Sequence, residues 1–289
     1  MSALKTTPQI AVALRKKTEF YSKRGRKYEP KIPRILHPVH VERRYILALR
    51  KSFTKLFKLI SMRLLPTLPA LLDKTARELA PQRFDSADDD LRLILDSILV
   101  EFGRELTQTE IQAIAKRRGL EVSEFNRLQN GKVFKKLLDV DIFRDELWLE
   151  TALQNFATDN AALITTLSQK HIAEVRSLVI NGMRQGVTAK ELAQQIQSRV
   201  TGKTRANFNL IARDQVSKLN GQLTMLRQRD LGVTRYVWRT SLDERVRASH
   251  RAHRDKVYFW DNPPEDTGHP GNDYQCRCYA EPVLEDLIE

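Results

Sequence analysis

Cysteine is scarce in this 289-residue chain: both copies stand in one Cys276-Arg-Cys278 and none occurs elsewhere. A disulfide-scaffolded secreted fold needs more cysteines, spread through the chain, so that class is excluded. Long apolar runs are missing as well. No stretch approaches the roughly 18 to 20 residues of a membrane span, and the basic N-terminus lacks the apolar segment and small-residue cleavage site of a signal peptide. The chain is therefore expected in the cytoplasm when made, without stable membrane insertion, its two thiols starting reduced or as metal ligands. No internal repeat is evident. What is present, 41% hydrophobic residues over this length, is compatible with a packed core and with one large or two ordinary domains.

Acidic residues are nearly absent from the first 60 positions, where Glu19, Glu29 and Glu42 face 16 lysines and arginines. The remaining chain holds 33 of each sign, so the whole formal charge of +13 comes from this stretch. Residues 1–41 read as a basic arm, with Arg15, Lys16 and Lys17 in one cluster and Lys23, Arg24, Arg26 and Lys27 in another. Pro8, Pro30, Pro33 and Pro38 punctuate it, and the expectation is an extended or disordered segment. Phe20, Tyr21 and Tyr28 are interleaved with the charges. Such a segment suits non-specific, salt-sensitive contact with double-stranded DNA through counterion release, an acidic protein surface, or a membrane surface. Nothing in it suggests base reading.

Residues 42–159 read as a helical region. From Glu42 to Leu65, Ile46, Leu49, Phe53, Leu56, Ile60 and Leu64 recur at threes and fours, which predicts one apolar face. Other faces carry Arg44, Arg50, Lys51, Lys55 and Lys58, and Pro66 and Pro69 stop or kink the helix. A second helix is expected from Ser86, with Leu91, Ile94, Ile98 and Phe102 buried. Thr107 with Glu110 is a capping-box pattern for a short helix ending near Gly119, and another from Ser123 would complete a faint helix-turn-helix. Longer helices follow from Asp145 to Gly232. Gly186 suits a helix C-terminus, Thr188 with Glu191 caps the next helix, and Thr204 to Asp230 is the last.

Beyond Gly232 the period changes to two. Tyr236, Trp238 and Thr240 alternate as in a strand, with Val257 to Trp260 and Tyr279 to Val283 as further strands and residues 262–271 as loop. Tyr236, Trp238 and Trp260 are read as core rather than as base-stacking aromatics. The fold class is thus mainly α with a small C-terminal α+β module and a basic extended N-terminal arm.

The terminal blocks Tyr236-Val-Trp-Arg-Thr240, Asp243-Glu-Arg-Val-Arg-Ala-Ser-His250, His269-Pro-Gly271 and Cys276-Arg-Cys278, with Ile211 to Val216 and Lys218-Leu-Asn220 upstream, closely resemble the C-terminal domain of phage Mu F-like minor head (head morphogenesis) proteins. The resemblance runs from about Asn160, and residues 160–289 are taken as this domain, with its β-containing module at 233–284. It implies a structural virion protein inside a tailed-phage head, with portal and major capsid proteins as partners and a role in assembly, DNA packaging or delivery. One departure is that Asp255 stands where the family has a turn glycine, and Asp tolerates the left-handed conformation such a turn needs.

In Cys276-Arg-Cys278 an extended backbone points both sulfurs one way, and two more ligands, best His250 and His269, would complete a structural zinc site. Buried thiols and a disulfide are the other readings. Arg213, Asp214, Asp243, Arg245, Arg247 and His250 form a candidate structural network, in which Asp214 or Arg213 pairs with Asp243 or Arg247. The alternative function is a nuclease or toxin-like enzyme using His250, His253 and Asp243.

Overall fold

The computed structural model describes residues 3–25, 31–77, 85–138 and 145–284. Within them the order is α1 (Ala3–Ser22), α2 (Val39–Leu59), a π-helical turn (Ile60–Leu64), a 3-10 turn (Leu65–Thr67), α3 (Leu68–Arg77), α4 (Asp85–Glu105), α5 (Gln108–Leu138), α6 (Leu149–Gln185), α7 (Ala189–Asp230), β1 (Arg235–Arg239), α8 (Ala248–His253), β2 (Val257–Phe259) and β3 (Tyr279–Pro282). The chain is mainly helical with one small antiparallel sheet near its C-terminus, as the periodicity predicts. Among the described residues no helix is long and apolar enough to cross a membrane.

The chain divides into two compact units built from interleaved segments. One comprises residues 43–117 and 154–212, the other residues 1–42, 118–153 and 213–289.

Among the described residues of the unit 43–117 and 154–212, every regular element is a helix. Tyr45, Leu49, Phe53, Leu56, Ile60 and Leu64 are buried, so the expected stripe holds, with Tyr45 in the place given to the half-buried Ile46. Phe53 sits at its centre, 4.9 Å from the Phe208 ring and 5.7 Å from Phe102. Tyr45 donates a buried hydrogen bond to Asn160 Oδ1 at 2.7 Å. The Pro66 region kinks the chain rather than ending it: a π turn and a 3-10 turn lead straight into α3, whose first turn tolerates Pro69 because its amide would lack a helical acceptor anyway.

Two helix boundaries differ from the expectation. Gln108–Leu138 is one helix, so the short-helix pair and its helix-turn-helix are not formed. The buried positions Ile111, Ala115, Gly119, Val122 and Asn126 keep the helical period across the glycine, and that packing outweighs the roughly 1 kcal/mol a mid-helix Gly costs. The last long helix likewise begins at Ala189 rather than Thr204. Both capping boxes form: Thr107 N–H donates to Glu110 Oε2 at 2.8 Å and Thr188 N–H to Glu191 Oε2 at 3.1 Å. Gly186 has φ +66°, the left-handed conformation expected after a helix.

In the other unit, the segment expected to be extended contains α1. Ile10 and Leu14, one turn apart, bury on Ile35, Val133, Phe134, Leu137, Leu231 and Val233, and that apolar contact favours helix over extended chain. Arg15, Lys16, Lys23 and Arg24 are exposed, with the Arg24 guanidinium 4.0 Å above the Phe20 ring. Arg26, Lys27 and Tyr28 lie outside the described residues. The same unit has a buried polar centre that sequence reading did not find. Arg227, fully buried, reaches Glu146 at 2.6 Å, Asn126 Oδ1 at 2.6 Å and Ser123 Oγ at 2.9 Å.

Candidate functional site

Three short strands in the order β2-β1-β3 carry the terminal module. Alternation along β1 buries Tyr236 and Trp238, which with Trp260, Cys276, Cys278 and Ala280 make its core, so the aromatics are core as expected. The turn after α8 ends at Asp255 with φ +65°, so Asp takes the left-handed conformation that favours glycine. Its carboxylate also pairs with Arg239, anchoring the turn on β1.

A loop carrying the His269-Pro-Gly271 block brings the thiols to their place. Gly271 adopts φ +98° and packs its backbone on α7; a Cβ added there would stand 3.0 Å from Gly221 Cα and 3.0 Å from Ser217 O. A Cβ on Gly221 would fall 2.5 Å from Pro270 O, so helix and loop meet backbone to backbone. The Gly271 N–H then donates to Cys276 Sγ at 3.4 Å. One residue before Cys276, Gln275 has φ +53°, and its N–H donates to Asp214 Oδ1 on α7 at 2.9 Å.

Cys276, Cys278 and His250 converge. His250 Nδ1 lies 3.5 Å from each sulfur, and the three donor atoms lie within 4.8 Å of one another. His250 is 2% exposed and its other nitrogen, Nε2, is 2.9 Å from Asp273 Oδ2. Asp273 also receives Arg247 Nη1 at 2.5 Å, and Arg247 Nη2 bonds the Tyr274 carbonyl at 2.6 Å. His250, Cys276 and Cys278 line a cavity of about 160 Å³ that also holds Arg213, Arg245, Arg247 and Arg277.

The site is electrostatically polarised. A hydrogen bond from Cys278 holds the Cys276 thiol down to about 5 against its burial, helped by His250 and the Gly271 N–H. The same bond, with burial, pushes Cys278 up. The Cys276 sulfur raises His250 against burial, with Asp273 adding to it. Burial works against the Asp273 carboxylate, but His250, the Tyr274 N–H and Arg247 together keep it below the usual range.

Other residues singled out in the sequence are distributed differently. His269 stands apart from the thiols: its Nδ1 is 3.0 Å from Tyr236 OH, its ring packs in the aromatic core, and burial lowers its pKa. The proposed four-ligand set is therefore assembled in three members. Asp243 pairs with Arg277 at 2.5 Å and accepts the Arg245 N–H at 3.1 Å. Asp214 holds Lys218 and the Gln275 backbone, and Arg213 pairs with Glu42 at 3.2 Å, so neither meets Asp243 or Arg247. Asp214 on α7 instead holds the module through the Gln275 N–H, and farther along α7 Arg229 pairs with Asp261 at 2.8 Å. His253 is held by Tyr258 OH at 2.6 Å and Asp266 at 2.9 Å. His250, His253 and Asp243 are thus held by three separate partner sets. On α2, Lys55 donates to the Glu105 carbonyl at 2.6 Å, Lys51 and Lys58 are exposed, and Arg50 is half-buried.

Asp273 is the residue that sequence reasoning missed. It lies three residues before Cys276, between the loop read at residues 262–271 and the Cys276-Arg-Cys278 block, and only the folded chain reveals that it supports His250.

Comparison with known proteins agrees with the motifs. Residues 173–281 match the profile of the family described as Phage Mu protein F like protein. An uncharacterized protein of Haemophilus influenzae is 44% identical over 129 residues, which are 44% of this chain and 28% of that protein. No solved structure matches. Every part of the thiol and imidazole cluster falls inside the matched span, residues 173–281.

Proposed function

We propose that the chain is a minor head protein of a tailed phage or prophage, acting in head morphogenesis from inside the head near the portal. The observation that carries this reading is the family match over residues 173–281, in a family of structural head proteins. Its motif residues are used for building: Gly271 closes the loop on α7, Tyr236 and Trp238 fill the core, and Asp243, Arg247 and His250 are paired inside the module. Capsid and portal proteins are the partners this role calls for.

The basic N-terminal region contacts packaged DNA without reading its sequence. The support is the charge excess of the first 60 residues and the exposure of Lys16, Lys23 and Arg24. Because Ile10 and Leu14 are buried, deletion of this region would uncover Val133 and Phe134 and confuse folding with binding. Charge removal in the full chain is the cleaner test. Replacing Lys16, Lys23 and Arg24 by Gln should lower the slope of log K against log salt by roughly 3 if each neutralises one phosphate. An unchanged slope together with weakened binding to purified portal would make the region an assembly tether instead. The head role is tested separately, by mass spectrometry of purified particles of the encoding phage. The chain should appear in the head fraction, and absence from assembled particles would contradict the reading.

A further inference from the structure

We propose that His250, Cys276 and Cys278 bind one zinc ion through Nδ1 and the two sulfurs, with the fourth position taken by water from the adjoining cavity. The proposal does not rest on the head role.

Three observations carry it. The first is distance. With Zn–S near ~2.3 Å and Zn–N near ~2.05 Å, a tetrahedral shell separates N from S by roughly 3.6 Å, and His250 Nδ1 lies 3.5 Å from each sulfur. A thiol nucleophile with its base would need one sulfur at the imidazole and room for a substrate. Here two sulfurs share one nitrogen equally, which is the arrangement of a chelate.

The second is the support around the donors. The far nitrogen of His250 is held by Asp273 Oδ2 at 2.9 Å, the carboxylate–histidine arrangement that fixes the tautomer of a metal-bound imidazole. Cys276 Sγ accepts the Gly271 and Cys278 N–H groups, each at 3.4 Å, as thiolate ligands do. The indole N–H of Trp238 is buried without a hydrogen bond in the same core cluster as both cysteines.

The third is charge and space. Two thiolates balance one divalent cation, which replaces the proton the sulfurs would otherwise share. The cavity of about 160 Å³ has room for a water at roughly 30 Å³. Arginines line it, so the water position also suits an anionic oxygen.

The full chain, expressed with zinc and purified under reductant, should contain one zinc per chain by elemental mass spectrometry. Exchange into cobalt(II) should give the intense sulfur-to-metal charge-transfer absorption and the visible bands of a tetrahedral site. Cys276→Ser and Cys278→Ser should each abolish the charge-transfer pattern of the pair, and Asp273→Asn should weaken zinc binding about 10- to 100-fold. His269→Gln should keep stoichiometry and spectrum. Should a cysteine variant fail to fold, zinc content and cobalt spectrum of the unmodified chain still decide. A chain that binds no zinc at excess metal, with both thiols open to a thiol reagent, would overturn the proposal. So would loss of the site in His269→Gln with the helical circular dichroism intact.

Discussion

The all-helical unit and the terminal module of residues 233–284 solve the same problem by different physics. A long helix satisfies its own amides, so the helical unit is held mainly by apolar stripes, and its centre is Phe53 among Phe102, Phe208 and His171. The module has strands of three to five residues and long connections, too little to bury a large core. Its loops are held instead by directed polar contacts: Arg239 to Glu281 and Asp255, Arg277 to Asp243, Arg247 to Asp273, His253 to Asp266. Apolar packing does not titrate and binds no metal, whereas directed contacts between charged groups and thiols respond to pH and to metal. The family motifs are concentrated where the chain depends on the second kind.

The comparison can be broken first at its apolar limits. Phe53→Ala and Trp238→Ala should each cost about 3–5 kcal/mol by chemical denaturation, the range for deleting a buried aromatic. Local hydrogen exchange should assign the loss to the helical unit in the first case and to the module in the second. Arg227→Ala, which leaves Glu146 buried without its partner, should cost a similar ~3–5 kcal/mol. Restoring apolar bulk as Arg227→Met would not recover it while Glu146 remains.

Next comes the backbone contact. Gly221→Ala must push Pro270 away from α7 and should cost about 1–3 kcal/mol, as overpacking does, with raised exchange in residues 269–278. A neutral effect would mean that the loop does not rest on the helix.

A pH test sharpens the contrast between Phe53 of the helical unit and Glu42 of the unit of residues 1–42, 118–153 and 213–289. Burial alone would raise the Glu42 carboxyl, but the His37 hydrogen bond and Arg213 bring it below the ordinary glutamate range. A depressed folded pKa gives stability that is present above the unfolded pKa and lost as pH falls through the folded one. The acid side of the stability profile should therefore flatten in Glu42→Gln, while Phe53→Ala shifts the whole profile without changing its shape. The smallest effect expected is Thr188→Ala, about 1 kcal/mol for a lost N-cap.

Local rules were legible in the sequence wherever one residue type answers one local demand. The capping boxes at Thr107 and Thr188, the left-handed Gly186 and Asp255, the alternation of Tyr236 and Trp238 and the family blocks are of this kind. Helix continuity through Gly119 was not, because a glycine's local penalty is offset by tertiary burial that the sequence does not display. The helical α1 was hidden similarly: its partners Ile35, Val133 and Leu231 are distant in sequence. In the site, two cysteines and His250 could be nominated by chemistry, since few side chains ligate soft metals. Asp273 and Gln275 could not, because an Asp in a loop is ordinary and a backbone N–H carries no sequence signature. His269 illustrates the reverse error, in which a motif histidine turned out to serve the aromatic core.

The measurement that bears most directly on the contrast is hydrogen exchange of the intact chain, zinc-loaded and then stripped by a chelator under reductant. Protection should fall in residues 233–284, most around residues 248–253 and 269–280, while residues 43–117 and 154–212 keep theirs. Equal protection in both states, or a loss spread evenly over the chain, would contradict the division between an apolar helical unit and a module held by directed contacts and the proposed zinc.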